Sequence, residues 1–110
     1  MRLAEQIADR LSELDHLDRN DPYVEVLRVA KIVEEAGEAM EALIAYHGVN
    51  PRKPNGPMAD VVKELADVAL TAKVAMESFG YDSVWVLRQR EQAVLKRLKA
   101  VEPRHEQEPS

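Results

Sequence analysis

The sequence predicts an all-α fold, a bundle of four helices. Three observations carry that expectation. Apolar residues recur at spacings of three and four through four separate stretches, the period of one helix face. Aromatic residues make up only 5% of the chain while alanine, valine and leucine are plentiful, a mix suited to helices packed through small aliphatic side chains. No alternating pattern of the kind a half-buried strand needs survives the competing helical period.

The first helix is expected over residues 2–17, where Leu3, Ile7, Leu11 and Leu14 form one stripe. Residues 18–22 interrupt it. Asp21-Pro22 then reads as an N-cap followed by proline at the first helical position. The second helix, residues 23–46, has Val26, Val29, Ala30, Val33, Gly37, Met40 and Ile44 as its main apolar face. Ile32, Ala36, Ala39 and Leu43 widen that face well beyond the roughly 100° arc of a surface helix. The width predicts contact with more than one neighbouring helix. Gly48 is the stop signal.

Residues 47–57 hold three prolines and two glycines, so a loop is expected. The third helix, residues 58–79, carries Val61, Leu65, Val68, Ala72, Ala75, Met76 and Phe79 on its apolar side, and Gly80 closes it. Asp82 or Ser83 can cap a fourth helix running to residue 101, with Val84, Leu87, Val94, Leu98 and Val101 as its seam. These helices make one domain, residues 1–101. Residues 102–110 are polar with two prolines and read as a disordered tail.

Charge narrows the function classes. The formal net charge is -5 over 110 residues. Nucleic-acid binding is not expected, because phosphate backbones need basic surface. Anionic nucleotides remain open as ligands if a divalent cation stands between the two sets of charges. With no cysteine, thiolate metal sites are excluded, and a cytoplasmic setting is expected. No apolar run approaches a membrane span, so no membrane partner is expected.

The chemistry-bearing residues are acids. Glu34, Glu35, Glu38 and Glu41 crowd the second helix, and Glu64 and Asp67 repeat the three-residue spacing on the third. Residues three apart on a helix lie about 60° apart around the axis, so each pair can aim at one small object. Asp60 and Thr71 extend the second stripe by a turn each way. The two helices are joined by a loop of about eleven residues, which suits antiparallel neighbours, and if they pack with these turns level four carboxylates converge. Uncompensated, such a set would repel until some took protons; a hard divalent cation resolves the conflict. Oxygen-only ligands select Mg²⁺, Mn²⁺ or Ca²⁺ over zinc. The plainer alternative is a solvated face tied by Lys31–Glu35 and Lys63–Asp67 pairs.

Glu34-Glu35-Ala36-Gly37-Glu38 followed by Glu64-Leu65-Ala66-Asp67-Val68 resembles the E-E-x-x-E … E-x-x-D signature of the MazG-like all-α nucleoside triphosphate pyrophosphohydrolases. The similarity runs from Leu27 through Phe79, about half the chain. With Asn50-Pro51-Arg52-Lys53 it looks like the short actinobacterial MazG-like proteins in particular. The resemblance implies a four-helix bundle of the all-α NTP pyrophosphatase type, assembled as a homodimer or homotetramer. It implies hydrolysis of a nucleoside triphosphate between the α- and β-phosphates, giving a monophosphate and pyrophosphate. It places Glu35, Glu38, Glu64 and Asp67 as ligands of Mg²⁺, with Mn²⁺ a possible substitute.

Glu34 is the candidate general base, although Glu34 and Glu35 could exchange parts. Lys31, Arg52 and Lys53 are candidate phosphate contacts, with a solvated loop as the alternative for the last two. The competing function is a catalytically weak MazG-like module that keeps the metal cage and binds a nucleotide or a partner.

Overall fold

The computed structural model describes residues 1–18, 20–49, 51–52 and 54–103. These form four helices and no strand: α1 (Leu3–Asp15), α2 (Pro22–Tyr46), α3 (Met58–Ser78) and α4 (Ser83–Ala100). Each end agrees with the sequence expectation to within two residues, and the local chemistry explains why. The Asp21 carboxylate accepts from the Tyr23 N–H at 2.9 Å, with Pro22 at the first helical position. Asp82 accepts from the Val84 and Trp85 N–H groups at 3.0 and 3.1 Å. Both satisfy amides that a helix start leaves without partners.

The first helix stops two residues early because His16 turns left-handed (φ 55°) and Leu17 N–H reaches back to the Ser12 carbonyl at 3.2 Å. Gly48 (φ 66°) ends α2 in the left-handed conformation that glycine adopts most readily, and the Asn55 amide lies where a Cβ would stand. Gly56 N–H returns to the Ala45 carbonyl at 3.2 Å, folding the loop back onto the end of α2.

Helix α3 is the centre. It packs along α2 on one side and against α1 on another, and α4 rests on it. Arg28 and Lys31 stand near Leu70, Thr71 and Val74, whereas Ala42 and Ala45 stand near Asp60 and Glu64. Later residues of α2 thus meet earlier residues of α3: the pair is antiparallel, as the eleven-residue connection suggested. Ala4 and Ala8 of α1 close on Val74 of α3, with Ile7 and Leu11 beside them. Val24, Ala39, Val61 and Ala75 supply the other buried apolar side chains.

The expected main face of α2 is not buried. Val26, Val33 and Met40 are 64%, 69% and 57% exposed, and a Cβ added at Gly37 would meet nothing within 4 Å. The opposite side of the helix, bearing Val24, Arg28, Glu35 and Ala39, turns inward instead. Likewise Leu65 on α3, Leu98 on α4 and Val101 just past its end lie open. The reason is geometric: periodicity identifies a stripe that resists water, not the helix that covers it. The Cα radius of gyration is 18.8 Å, against about 13 Å for a compact domain of about 100 residues. The chain spreads its helices rather than wrapping them around one core.

Ion pairs at both ends tie α1 down. Arg2 donates to both oxygens of Glu77, at 3.0 and 2.8 Å, while Ser83 N–H donates to the same carboxylate at 2.7 Å. Glu77 is 2% exposed. The Arg2 hydrogen bonds hold its carboxyl at about 2 against the opposing pull of burial, and the Arg2 guanidinium is pushed up in return. Arg28 reaches Asp15 at 3.3 Å and pins the other end of α1 to α2. Among the described residues no helix is long and apolar enough to cross a membrane. The expected tail falls largely on residues 104–110, which lie outside the described residues.

Candidate metal centre

On α2, Arg28, Lys31, Glu35, Ala39 and Ala42 follow one another at three- or four-residue steps and share the inner face. On α3, Glu64, Asp67, Thr71 and Val74 do the same. Antiparallel packing sets Glu35 opposite the first two of these. One carboxylate oxygen from each of Glu35, Glu64 and Asp67 lies within 4.8 Å of the other two. The Glu35 side chain is only 12% exposed. Thr71 Oγ1 donates to the Asp67 carbonyl at 2.6 Å, which fixes the turn below the cluster.

Glu38, the fourth expected ligand, stands at the edge of this trio. Its carboxyl is pushed above the usual carboxylate range by the charge of Glu35, by a hydrogen bond shared with Glu35, by burial, and by Glu64 and Glu34. Lys31 Nζ lies 3.3 Å from Glu34 Oε1 and 3.4 Å from Glu35 Oε1, and those contacts hold its own proton more tightly, Glu34 first. Lys31 thus offsets part of the trio's charge from one side.

The residues fit a hard divalent cation. Oε2 of Glu64 is buried and has no hydrogen-bond partner, and a buried carboxylate oxygen without a donor is costly. A cation supplies what it lacks. Two oxygens bound to one Mg²⁺ lie at most about 4.2 Å apart, twice the usual bond length. Three oxygens cannot all lie opposite one another, so at least two of their three separations must close to about 3 Å around an octahedral ion, a movement that rotation of the carboxylate side chains supplies. A set of carboxylate oxygens with no nitrogen or sulfur suits Mg²⁺ or Mn²⁺.

Two cavities flank the trio. Toward the start of α3 lies an open groove of about 520 Å³ lined by Glu38, Glu41, Ala42, Ala45, Asp60, Lys63 and Glu64. Toward its end, under α1, lies a smaller slot of about 150 Å³ lined by Ile7, Leu11, Arg28, Lys31, Leu70, Thr71 and Val74. The trio therefore sits between an acidic groove and an apolar slot edged by two cations.

The remaining candidates are scattered. Glu34 points away from the trio, 59% exposed and held by Lys31. Arg52 is exposed on the loop after α2. Lys53 lies outside the described residues. Sequence reasoning had no role for Arg28, yet it is buried and faces the slot. Its position seven residues before Glu35, hence on the same face, was a usable signal. Glu77 was missed too. An acid in the last turn of a helix opposes the helix dipole, a sign that it answers to a partner elsewhere.

No protein-family model matches the chain, and neither a curated protein nor a solved structure is significantly similar to it.

Proposed function

We propose that this chain is a Mg²⁺-dependent nucleoside triphosphate pyrophosphohydrolase of the MazG-like kind. The observation that carries the reading is the trio of Glu35, Glu64 and Asp67, one of whose buried oxygens has no donor. With Glu38 at its edge, this is the acid set that the sequence resemblance implies. A divalent cation held there would neutralise phosphate oxygens and lower the pKa of a bound water.

The chain's own groups divide the remaining work. Lys31 is shared by Glu34 and Glu35; once a cation answers Glu35, its ammonium is available to a phosphate oxygen. Glu38 lines the groove beside Glu64 at the edge of the trio. It is better placed than Glu34 to accept the proton that water gives up on attacking the α-phosphorus. The bond from that phosphorus to the bridging oxygen breaks, and pyrophosphate leaves with the electron pair. Monophosphate and pyrophosphate as the products of a nucleotide panel with Mg²⁺ are expected; free phosphate as the sole inorganic product would exclude the reaction.

The open stripe of α2 supports assembly as a homodimer or homotetramer. Val26, Ala30, Val33, Gly37, Met40 and Ile44 follow steps of four, three, four, three and four. That is the 3.5-residue repeat of a seam between two helices. The same stripe favours a second reading, a catalytically weak MazG-like module that binds a nucleotide or a protein partner. Measurable nucleotide binding without any product would select it.

A further inference from the structure

The slot under α1 has a size and a polarity that the triphosphate reading leaves unused. Its walls are aliphatic: Ile7 and Leu11 from α1, Leu70 and Val74 from α3. Its volume is about 150 Å³, and an apolar cavity of about that size holds one benzene ring. A six-membered ring therefore matches it, while a fused double ring would project from its open side. The slot is not purely apolar. Arg28 lines it, only 9% exposed, and its Nε–H is buried with no partner although another guanidinium nitrogen reaches Asp15. Guanidinium offers donors and no acceptor, so the ring must present an acceptor at that edge. Thr71 spends its hydroxyl proton on the Asp67 carbonyl, which leaves its oxygen lone pairs to accept from a ring N–H.

Position agrees with polarity. Lys31 and Arg28 stand one and two turns before Glu35 on α2, about 6 and 10 Å along the axis. Lys31 touches the trio and the slot at once. A molecule with its ring beside Arg28 and its phosphates at the trio would pass Lys31 with room for one sugar between.

The geometry points to a pyrimidine base as the occupant of this slot, with Arg28 donating to a ring carbonyl, so that the protein selects pyrimidine over purine nucleotides. This rests on the proposed triphosphate site, and the test separates the two. Calorimetric titration in Mg²⁺ uses three probes: inorganic tripolyphosphate and the α,β-imido analogues of UTP and ATP. Tripolyphosphate reports the metal centre alone. The UTP analogue is expected to bind about tenfold or more tighter than the ATP analogue, the worth of one hydrogen bond to a charged group. Arg28→Met should erase that margin while leaving tripolyphosphate unchanged. Because Arg28 also holds Asp15, a second variant guards against misfolding. Leu70→Phe narrows the slot from a position already 41% exposed and should weaken only the UTP analogue. Tripolyphosphate binding with equal affinity for the two analogues would overturn the slot and spare the metal centre. Failure of all three probes to bind would overturn both.

Discussion

Replacing Glu64 by glutamine should stabilise the metal-free protein and blunt its response to Mg²⁺. Glu35, Glu64 and Asp67 bring oxygens within 4.8 Å of one another. At that separation two unit charges repel by about 3.5 kcal/mol in an effective dielectric of about 20. Glu64 faces two such neighbours. Solvent reaches Glu64 and Asp67, and Lys31 offsets Glu35 at 3.4 Å, so most of that repulsion is screened and a net relief of about 1 kcal/mol is expected. The substitution should raise the metal-free melting temperature by about 4 °C.

Saturating Mg²⁺, at a hundredfold excess over its dissociation constant, stabilises the native protein by about 2.7 kcal/mol. That corresponds to roughly 10 °C, and Glu64→Gln should lose most of it. The assay is scanning calorimetry at one fixed protein concentration, with and without Mg²⁺. Glu25→Gln, an exposed position elsewhere on α2, is the control and should change neither quantity by more than about 1 °C, within the usual range of surface substitutions. No Mg²⁺ effect, together with a metal-free protein destabilised by Glu64→Gln, would refute the reasoning. These acids would then belong to structural ion pairs.

Glu77→Ala should lower stability by about 1–3 kcal/mol in a urea titration, because Ser83 N–H loses its buried acceptor; Glu77→Gln, which keeps an acceptor, should cost less. The same carboxyl sets an acid dependence. Its folded pKa of about 2 lies below the ordinary glutamate value of 4.5, so its contribution is full above about 4.5 and is lost as the pH falls towards 2. Urea midpoints measured across that window should fall less steeply for Glu77→Gln than for the parent. Val33→Glu, at the middle of the exposed α2 stripe, should shift sedimentation equilibrium from an oligomer towards the 12.4 kDa protomer without unfolding it; a parent that already sediments as a protomer would defeat the seam. Lys31→Gln should raise KM for a triphosphate at least tenfold, the loss of one charge-assisted contact, and an unchanged KM would remove Lys31 from phosphate binding.

Local chemistry was readable from the chain alone. Asp21-Pro22, Gly48, Gly80 and Asp82 mark ends that the structure keeps, because caps and left-handed turns depend on a few adjacent residues. The acid spacings on α2 and α3 were equally plain. A three-residue step on a helix sets a direction, so each acid pair was legible on its own helix, while the meeting of Glu35 with Glu64 and Asp67 also needed the acid side of α2 to turn towards α3. What the sequence did not determine was which side of α2 faces inward. Its apolar stripe and its Arg28–Glu35–Ala39 side compete for α3, and only the tertiary structure decides between them. There Glu35 lies against Glu64 and Asp67, Arg28 is held by Asp15, and Val26, Val33 and Met40 are left in the open. The slot and the Glu77 clasp escaped for the same reason. Ile7, Arg28 and Thr71, or Arg2, Glu77 and Ser83, come from three separate segments, and no spacing along one helix records a meeting between three.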